Sequence, residues 1–309
     1  MKDLIRALPE QLRTGAKLGT AARATKPFRS VISTGMGGSA AAGEILSMVR
    51  DDVVVHWDYD LPRGTSSADL VICTSWSGDT EETISSYHAA RAVGADTLVI
   101  TSGGALADLA HTDDTPIIML PHVNDVPRTN VGLMTGAMFA ALGLERQLPE
   151  SWDASASEAD GKALAEAIGD RMPVIYTSYP WRKLTGLWKM AYSETAKRQV
   201  MVNWFPSGAH NEIVGWEGPY AERVAFVLLR DSAEPPRYMH NFEALLALLP
   251  TKGYTVRTVG LSGNTLLEKV FTDYALALWT AYYAAIGLDV DPTATVLLDE
   301  FKKLKAHNT

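Results

Sequence analysis

Twice in its first third, the chain passes from a short apolar run through a turn of small and hydroxyl-bearing residues into a helix-like segment. Residues 30–34 lead through Gly35-Met36-Gly37-Gly38-Ser39 into the alanine-rich residues 40–49. Residues 70–74 lead through Ser75-Trp76-Ser77-Gly78-Asp79-Thr80 into residues 81–93. A strand too apolar to face water, followed at once by a helix, needs cover on both faces of its sheet. The alternation therefore predicts an α/β fold of mostly parallel strands flanked by helices. Further strand-like runs at residues 97–101, which enter Ser102-Gly103-Gly104-Ala105, and at residues 116–120 continue the pattern.

The second half repeats the plan more weakly, with strands expected at residues 173–177, 223–229 and 254–259 and helices near residues 183–198 and 238–249. Between the halves, residues 148–160 turn polar and rich in Ser, Asp and Glu, marking either a linker or the surface start of a helix. This predicts two domains, 1–150 and 151–309, and 309 residues with 47% hydrophobic content supply apolar surface for two cores. The long apolar segment 266–286 carries Glu268, Lys269 and Asp273, so it reads as buried packing or a subunit interface rather than a membrane span. Near the N-terminus Leu4, Ile5, Leu8 and Leu12 suggest an amphipathic helix interrupted by Pro9. Lys2, Arg6, Arg13 and Lys17 among them argue against a signal peptide or membrane span. The single cysteine, Cys73, lies in an apolar run and reads as a small buried hydrophobe. Together these features lead us to expect a cytoplasmic protein.

With 28 basic against 36 acidic residues the net charge is −8, and no stretch gathers Lys and Arg into a patch suited to nucleic acid. An anionic ligand would therefore need a local pocket of N–H and O–H donors. The glycine turn 35–39 supplies backbone N–H groups at the positive end of a helix dipole, although Gly37 or Gly38 can equally relieve close strand–helix packing. Ser75, Ser77 and Thr80 place three hydroxyls just after a buried strand, where they can surround a phosphate without a lysine. Thr80 is also a plausible N-cap, and Asp79 reads as a turn residue. The second half has no comparable loop, so one phosphate site per chain is expected.

The paired turns, Gly35 to Ser39 and Thr74-Ser75-Trp76-Ser77-Gly78-Asp79-Thr80-Glu81-Glu82-Thr83, resemble those of sugar-isomerase (SIS) domains. More narrowly the chain is similar to the bifunctional phosphoglucose/phosphomannose isomerase family. Family-like motifs follow in order at Pro127-Arg128, Ser193-Glu194-Thr195-Ala196-Lys197, His210-Asn211-Glu212-Ile213-Val214-Gly215-Trp216 and residues 292–302. The resemblance implies two SIS-type domains and an aldose–ketose isomerase acting on glucose 6-phosphate or mannose 6-phosphate. It implies Gly37, Gly38, Ser39, Ser75, Ser77 and Thr80 at the phosphate, with Thr295 and Lys302 near the substrate.

It further implies Glu194 as the base, Arg128 as the cation for an enediolate, and His210 as the ring-opening group donated across a homodimer. From the residues alone each has a plainer reading. Glu194 sits at the edge of the stripe Leu184, Leu187, Trp188 and Ala191, where it can be partly desolvated or can pair with Lys197 or Arg198 for about 0.2–0.5 kcal/mol. His210 falls in a loop, where Asn211 and Glu212 can orient it. Arg128 can be a surface arginine beside a turn, and Lys302 a solvated charge. Thr295 and Lys302 are seven residues apart, on one helix face. The scattered histidines, the lone cysteine and the absence of a dinucleotide fingerprint predict neither metal nor cofactor. Thr195, Thr129-Asn130 and Ser207 depart from the family pattern, which leaves two alternatives: another aldose–ketose enzyme for an amino-sugar phosphate, or a non-catalytic sugar-phosphate-binding protein.

Overall fold

A computed structural model describes residues 1–24 and 26–306. The first half runs α1 (Lys2–Arg6), α2 (Leu8–Ala21), β1 (Val31–Thr34), α3 (Gly38–Leu46), β2 (Val53–His56), β3 (Leu70–Ser75), α4 (Glu81–Ala92), β4 (Asp96–Thr101), α5 (Gly104–Thr112), β5 (Ile117–Met119) and α6 (Val131–Ala141). The second runs α7 (Glu158–Ile168), β6 (Met172–Ser178), α8 (Arg182–Ala196), β7 (Met201–Phe205), α9 (Glu212–Gly215), β8 (Val224–Arg230), α10 (Pro236–Leu248), β9 (Thr255–Gly260), α11 (Leu266–Gly287) and α12 (Val296–Ala306). Two parallel sheets result, ordered β2-β1-β3-β4-β5 and β7-β6-β8-β9. The predicted α/β architecture is present in both halves.

The chain divides into two compact units. One comprises Asp3–Ala154 with Gly263–Phe271; the other takes Met1–Lys2, Ser155–Ser262 and the chain from Thr272 onward. Within the first, Val71, Ile72 and Cys73 on β3 and Val99 and Ile100 on β4 are wholly buried, as the apolar runs require. Burial pushes the Cys73 thiol up to about 12, so it behaves as an inert small hydrophobe. In the second unit, a cluster of edge-to-face aromatic pairs, Tyr176 with Phe205 and Phe226, and Trp216 with Phe226 and Tyr254, fills the core beside β6 and β8.

Three elements depart from the sequence expectation. β2 is a short edge strand, and β7 carries Asn203 and Trp204 among its apolar residues, so neither gives a clean run. All of α6 is buried; a helix apolar all round has no amphipathic period to detect. The N-terminal helical stretch divides at Ala7, just ahead of Pro9 as the sequence suggests, and Pro9 lies in the first turn of α2, where its missing N–H costs nothing.

α2 and α6 pack backbone to backbone. A Cβ at Gly15 would lie 2.1 Å from the Leu133 carbonyl oxygen, one at Gly19 2.2 Å from that of Ala137, and one at Gly136 2.3 Å from that of Leu12. Glycines four apart on both helices let them meet without side chains between them. Because α6 begins immediately after Asn130, this contact also anchors the end of the Arg128 turn.

Candidate functional site

In a parallel sheet every strand ends at the same edge, and the loops there converge. At that edge of the first sheet, the turns after β1, β3 and β4 are tied to one another. Ser39, nearly buried, accepts the Trp76 N–H at 3.0 Å. Ser75 Oγ accepts the Gly78 N–H at 3.0 Å and shares a hydrogen bond of 2.9 Å with Thr80 Oγ1. Ser77 is exposed, and its Oγ accepts the Asp79 N–H at 3.3 Å. Thr80 does stand at the N-cap of α4, but its hydroxyl turns to Ser75 instead of capping.

These bonds leave a particular chemistry. In Ser39 and Ser77 the oxygen already accepts from a backbone N–H, while the hydroxyl proton has no acceptor among the described residues. The Ser75–Thr80 pair likewise retains one proton after its mutual bond. Three O–H donors without acceptors, at the start of α4, make a cradle for an anion.

The third turn completes it. Ser102 Oγ donates to the Trp76 carbonyl at 2.6 Å, the Leu106 N–H donates to the Gly78 carbonyl at 2.9 Å, and Asp79 accepts the Ala105 N–H at 2.9 Å. Asp79 is thus more than a turn residue, because its carboxylate caps the first turn of α5. Gly78 has φ +79°, and a Cβ there would sit 1.7 Å from the Gly103 carbonyl oxygen. Trp76, 3% exposed, stacks on His122 and donates from Nε1 to the Asn124 carbonyl at 3.0 Å. Sequence reasoning assigned no part in the site to Trp76, His122, Asn124 or Ser102; the Gly103-Gly104 pair was the signal that a third turn belongs there.

Arg128 is wholly buried, which overturns its reading as a surface arginine. It lies in the turn Pro127–Thr129, against the first turn of α3. A Cβ at Gly38 would come within 2.8 Å of the Pro127 carbonyl carbon and 3.0 Å of the Arg128 nitrogen. Gly38 therefore permits a close loop contact rather than strand–helix packing. The unusual pair after Arg128 is structural: Thr129 Oγ1 donates to the Val126 carbonyl at 2.8 Å, and Asn130 exchanges side-chain hydrogen bonds of 2.9 and 3.0 Å with Asn124.

In the second unit, Glu194 is half-buried in the last turn of α8, beyond the buried stripe Leu184, Leu187, Trp188 and Ala191. Lys197, with φ +56°, ends the helix and donates to the Glu194 carbonyl at 2.5 Å. Arg198 turns to the carbonyls of Gly169 and Asp170. His210 is exposed and makes no side-chain hydrogen bond among the described residues. Glu212 does not orient it: that carboxylate accepts from Tyr176 Oη at 2.7 Å and from Asn203 Nδ2. Burial, then the hydrogen bond to Glu212, push the Tyr176 phenol well above its ordinary range. Thr295 directly precedes α12, its carbonyl accepting the Asp299 N–H at 3.0 Å, and Lys302 is exposed on that helix.

The structure thus gathers Gly37, Gly38, Ser39, Ser75, Ser77, Thr80 and the Arg128 turn into one cluster in the first unit, and distributes Glu194, His210, Thr295 and Lys302 over separate elements of the second. At the matching edge of the second sheet the chemistry is reversed. Asp231 and Glu234 are buried there, and Ser178 donates its proton to Glu234. Carboxylates at that edge disfavour an anion. Among the described residues no group of three or more His, Cys, Asp or Glu is placed to hold a metal, and no helix is long and apolar enough to cross a membrane.

Residues 157–304 match the family model of the bacterial phospho-glucose isomerase C-terminal SIS domain. Among solved structures, the tagatose-6-phosphate ketose/aldose isomerase of Escherichia coli superposes with a TM-score of 0.71 at 15% identity, covering 95% of each chain. A hypothetical protein of Thermus thermophilus gives a TM-score of 0.75 at 16% identity, over 98% of this chain and 89% of its own. The structural likenesses show the fold of the chain, and the family model likens residues 157–304 to an SIS domain. In sequence the chain is similar to bifunctional phosphoglucose/phosphomannose isomerases. The one from Caldicellulosiruptor bescii is 29% identical over 98% of both chains.

Proposed function

We propose that this protein is an aldose–ketose isomerase that interconverts glucose 6-phosphate, mannose 6-phosphate or both with fructose 6-phosphate through an enediolate. The observation that carries the reading is the cradle of unaccepted hydroxyl protons at Ser39, Ser77 and the Ser75–Thr80 pair, which suits a phosphate monoester. Kinship with the bifunctional isomerases supports the choice of sugar.

In this scheme the first domain, residues 1–150, holds the phosphate, and the second, residues 151–309, supplies proton transfer. The Glu194 carboxylate takes the proton from C2 and returns it to C1. The C2 alcohol is oxidised to a ketone as the C1 aldehyde is reduced to an alcohol, so the electrons balance within the sugar and no external oxidant is consumed. Arg128 stabilises the enediolate oxygen as negative charge develops. His210 moves the proton that opens the ring, and Thr295 and Lys302 contact the sugar. Glucose and mannose differ only at C2, the carbon that becomes planar in the enediolate, so one site serves both.

We further infer a homodimer in which His210 completes the partner's site. Its exposure favours this, as does α12, where Val296, Leu297, Phe301 and Leu304 are 63–80% exposed and in need of apolar cover. A cytoplasmic place in hexose phosphate metabolism follows from the substrate.

The test is a coupled assay of the purified protein on glucose, mannose and glucosamine 6-phosphates, with Glu194→Gln alongside. The expected outcome is turnover of the first two, with kcat lowered about 10³-fold in the variant while sugar-phosphate binding persists. Turnover of glucosamine 6-phosphate alone would move the substrate to amino sugars. Binding without turnover of any would make the protein a non-catalytic sensor.

A further inference from the structure

Beside the anion cradle, Trp76, Ser102, His122 and Asp125 are joined by hydrogen bonds whose protons can be counted. Ser102 Oγ lies 2.6 Å from the Trp76 carbonyl oxygen, and a carbonyl can only accept, so the Ser102 proton is used there. His122 Nδ1 lies 3.1 Å from the same Oγ, which is left to accept from an Nδ1–H. His122 Nε2 lies 2.8 Å from Asp125 Oδ1, a carboxylate oxygen that accepts as well. Both ring nitrogens must then carry hydrogen, and the histidine with two N–H groups is the imidazolium. A neutral ring keeps both of its contacts only if the Ser102 hydroxyl turns from the Trp76 carbonyl to Nδ1. That carbonyl would then retain only the Ser102 N–H, at 3.2 Å.

The turn that receives this proton is the one that makes the cradle. Trp76 stands between Ser75 and Ser77, with its N–H on Ser39, its carbonyl on Ser102, and its ring stacked on His122 at 5.7 Å. The Trp76 carbonyl and the Ser77 N–H belong to one peptide unit, so a hydrogen bond onto the oxygen makes that N–H a stronger donor. Charge acts in the same direction. Within residues 35–39, 75–80, 102–105 and 121–130 the side chains that can carry positive charge are Arg128, wholly buried, and His122, half exposed.

We infer that His122 is a positioning residue of the anion cradle: as the imidazolium it holds the Ser102 hydroxyl on the Trp76 carbonyl and adds a positive charge, so the cradle grips a tetrahedral oxyanion more tightly when His122 carries both protons. The inference rests on the phosphate-binding reading of the cradle given above. The groups that face His122 are the Trp76 indole from the turn after β3, Ser102 from the turn after β4, and Asp125 from its own segment, of which Asp125 is the charged one. The other charges on these turns are Asp79, held by the Ala105 N–H, Glu81 and Glu82 in the first turn of α4, and Arg128 six residues on. Loss of the second proton leaves the Asp125 carboxylate uncompensated beside the cradle, so anion binding weakens as pH rises through the range in which histidines titrate.

The probe is inorganic sulfate, a tetrahedral dianion whose charge stays fixed between pH 6 and 8, whereas a phosphate monoester takes up a proton of its own near pH 6. It is titrated into the full-length protein while the Gly78 amide and Trp76 indole signals are followed by NMR. Sulfate should bind about three- to tenfold more tightly at pH 6 than at pH 8. His122→Gln, which keeps hydrogen-bonding groups but no charge, should bind equally at both, at about the wild-type affinity of pH 8. Linkage is reciprocal, so sulfate added to the wild type at fixed pH should move the His122 ring signals, assigned through their contacts with the Trp76 ring, toward the imidazolium. That measurement decides the matter if His122→Gln does not fold. Equal wild-type affinity at the two pH values, a pH dependence that survives in His122→Gln, or ring signals unmoved by sulfate would each overturn the inference and leave the cradle standing. Sulfate that binds at neither pH would overturn the cradle reading and this inference with it.

Discussion

The second sheet repeats the order of the first four strands of the first sheet, yet their strand-end edges are opposites. In the first, three turns meet so closely that glycine is required at Gly78, and their oxygens are satisfied by neighbouring N–H groups so that hydroxyl protons remain for a ligand. In the second, Asp231 and Glu234 occupy the edge, and Ser178 gives its proton to Glu234. A common scaffold thus carries unaccepted hydroxyl protons in one half and carboxylates in the other. Function here is set by what stands on the strand ends, not by the fold.

If the first half binds and the second half reacts, substitutions in the two should separate in KM and kcat. Arg128 is the sharpest challenge to that division, because it lies in the first half and is proposed to act on the reacting atoms. Arg128→Met should lower kcat about 10²–10³-fold with KM for the sugar phosphate changed much less. A change confined to KM, measured by steady-state kinetics, would return Arg128 to binding alone.

Next in size is the packing that makes the cradle. Gly78→Ala should destabilise the protein by about 3 kcal/mol in urea unfolding, because it combines a positive φ with a Cβ against the Gly103 carbonyl. A silent Gly78→Ala would mean the turns are not locked together. Gly136→Val should cost about 1–3 kcal/mol by separating α2 from α6, with KM rising only as far as the Arg128 turn is displaced.

Smaller again is a contrast within the cradle. Ser77→Ala should weaken sugar-phosphate binding about tenfold, with little change in stability, because Ser77 is exposed. Ser39→Ala should weaken binding and also cost about 1–3 kcal/mol, since the buried Trp76 N–H loses its acceptor. Identical behaviour of the two, by calorimetry and unfolding, would erase the distinction between ligand donors and loop ties.

The subtlest effect belongs to the second half. Asp273 titrates near 7 when folded, above the ordinary carboxylate value of about 3.9, so the native state binds the extra proton between those limits. Its contribution to stability is therefore greatest at low pH and is lost as pH rises from about 4 to 7. Asp273→Asn should flatten that slope in thermal unfolding; a parallel slope in the variant would show that Asp273 does not titrate there.

Much of this was legible in the chain. β3 and β4 were apolar enough to announce burial, and the turns behind β1 and β3 announced hydroxyl groups gathered at a helix start. β2 and β7 were too short or too mixed to stand out, and α6, buried all round, offered no period. The same loss of signal hid the Arg128 turn, since nothing local in Pro127-Arg128-Thr129-Asn130 tells that Gly38 makes room for it and Asn124 clasps it. Asp79 looked like a turn residue because its partner, the Ala105 N–H, lies 26 positions on.

By itself, then, the sequence determined the α/β alternation, the identity of the hydroxyl-bearing residues and the lack of a comparable loop in the second half, because propensity and burial are written locally. Only the tertiary structure decided which hydroxyl protons remain for a ligand, why Arg128 is buried and why Glu212 serves Tyr176 rather than His210. Those outcomes depend on partners distant in the chain, and a hydrogen bond is accounted for only when both of its ends are in place.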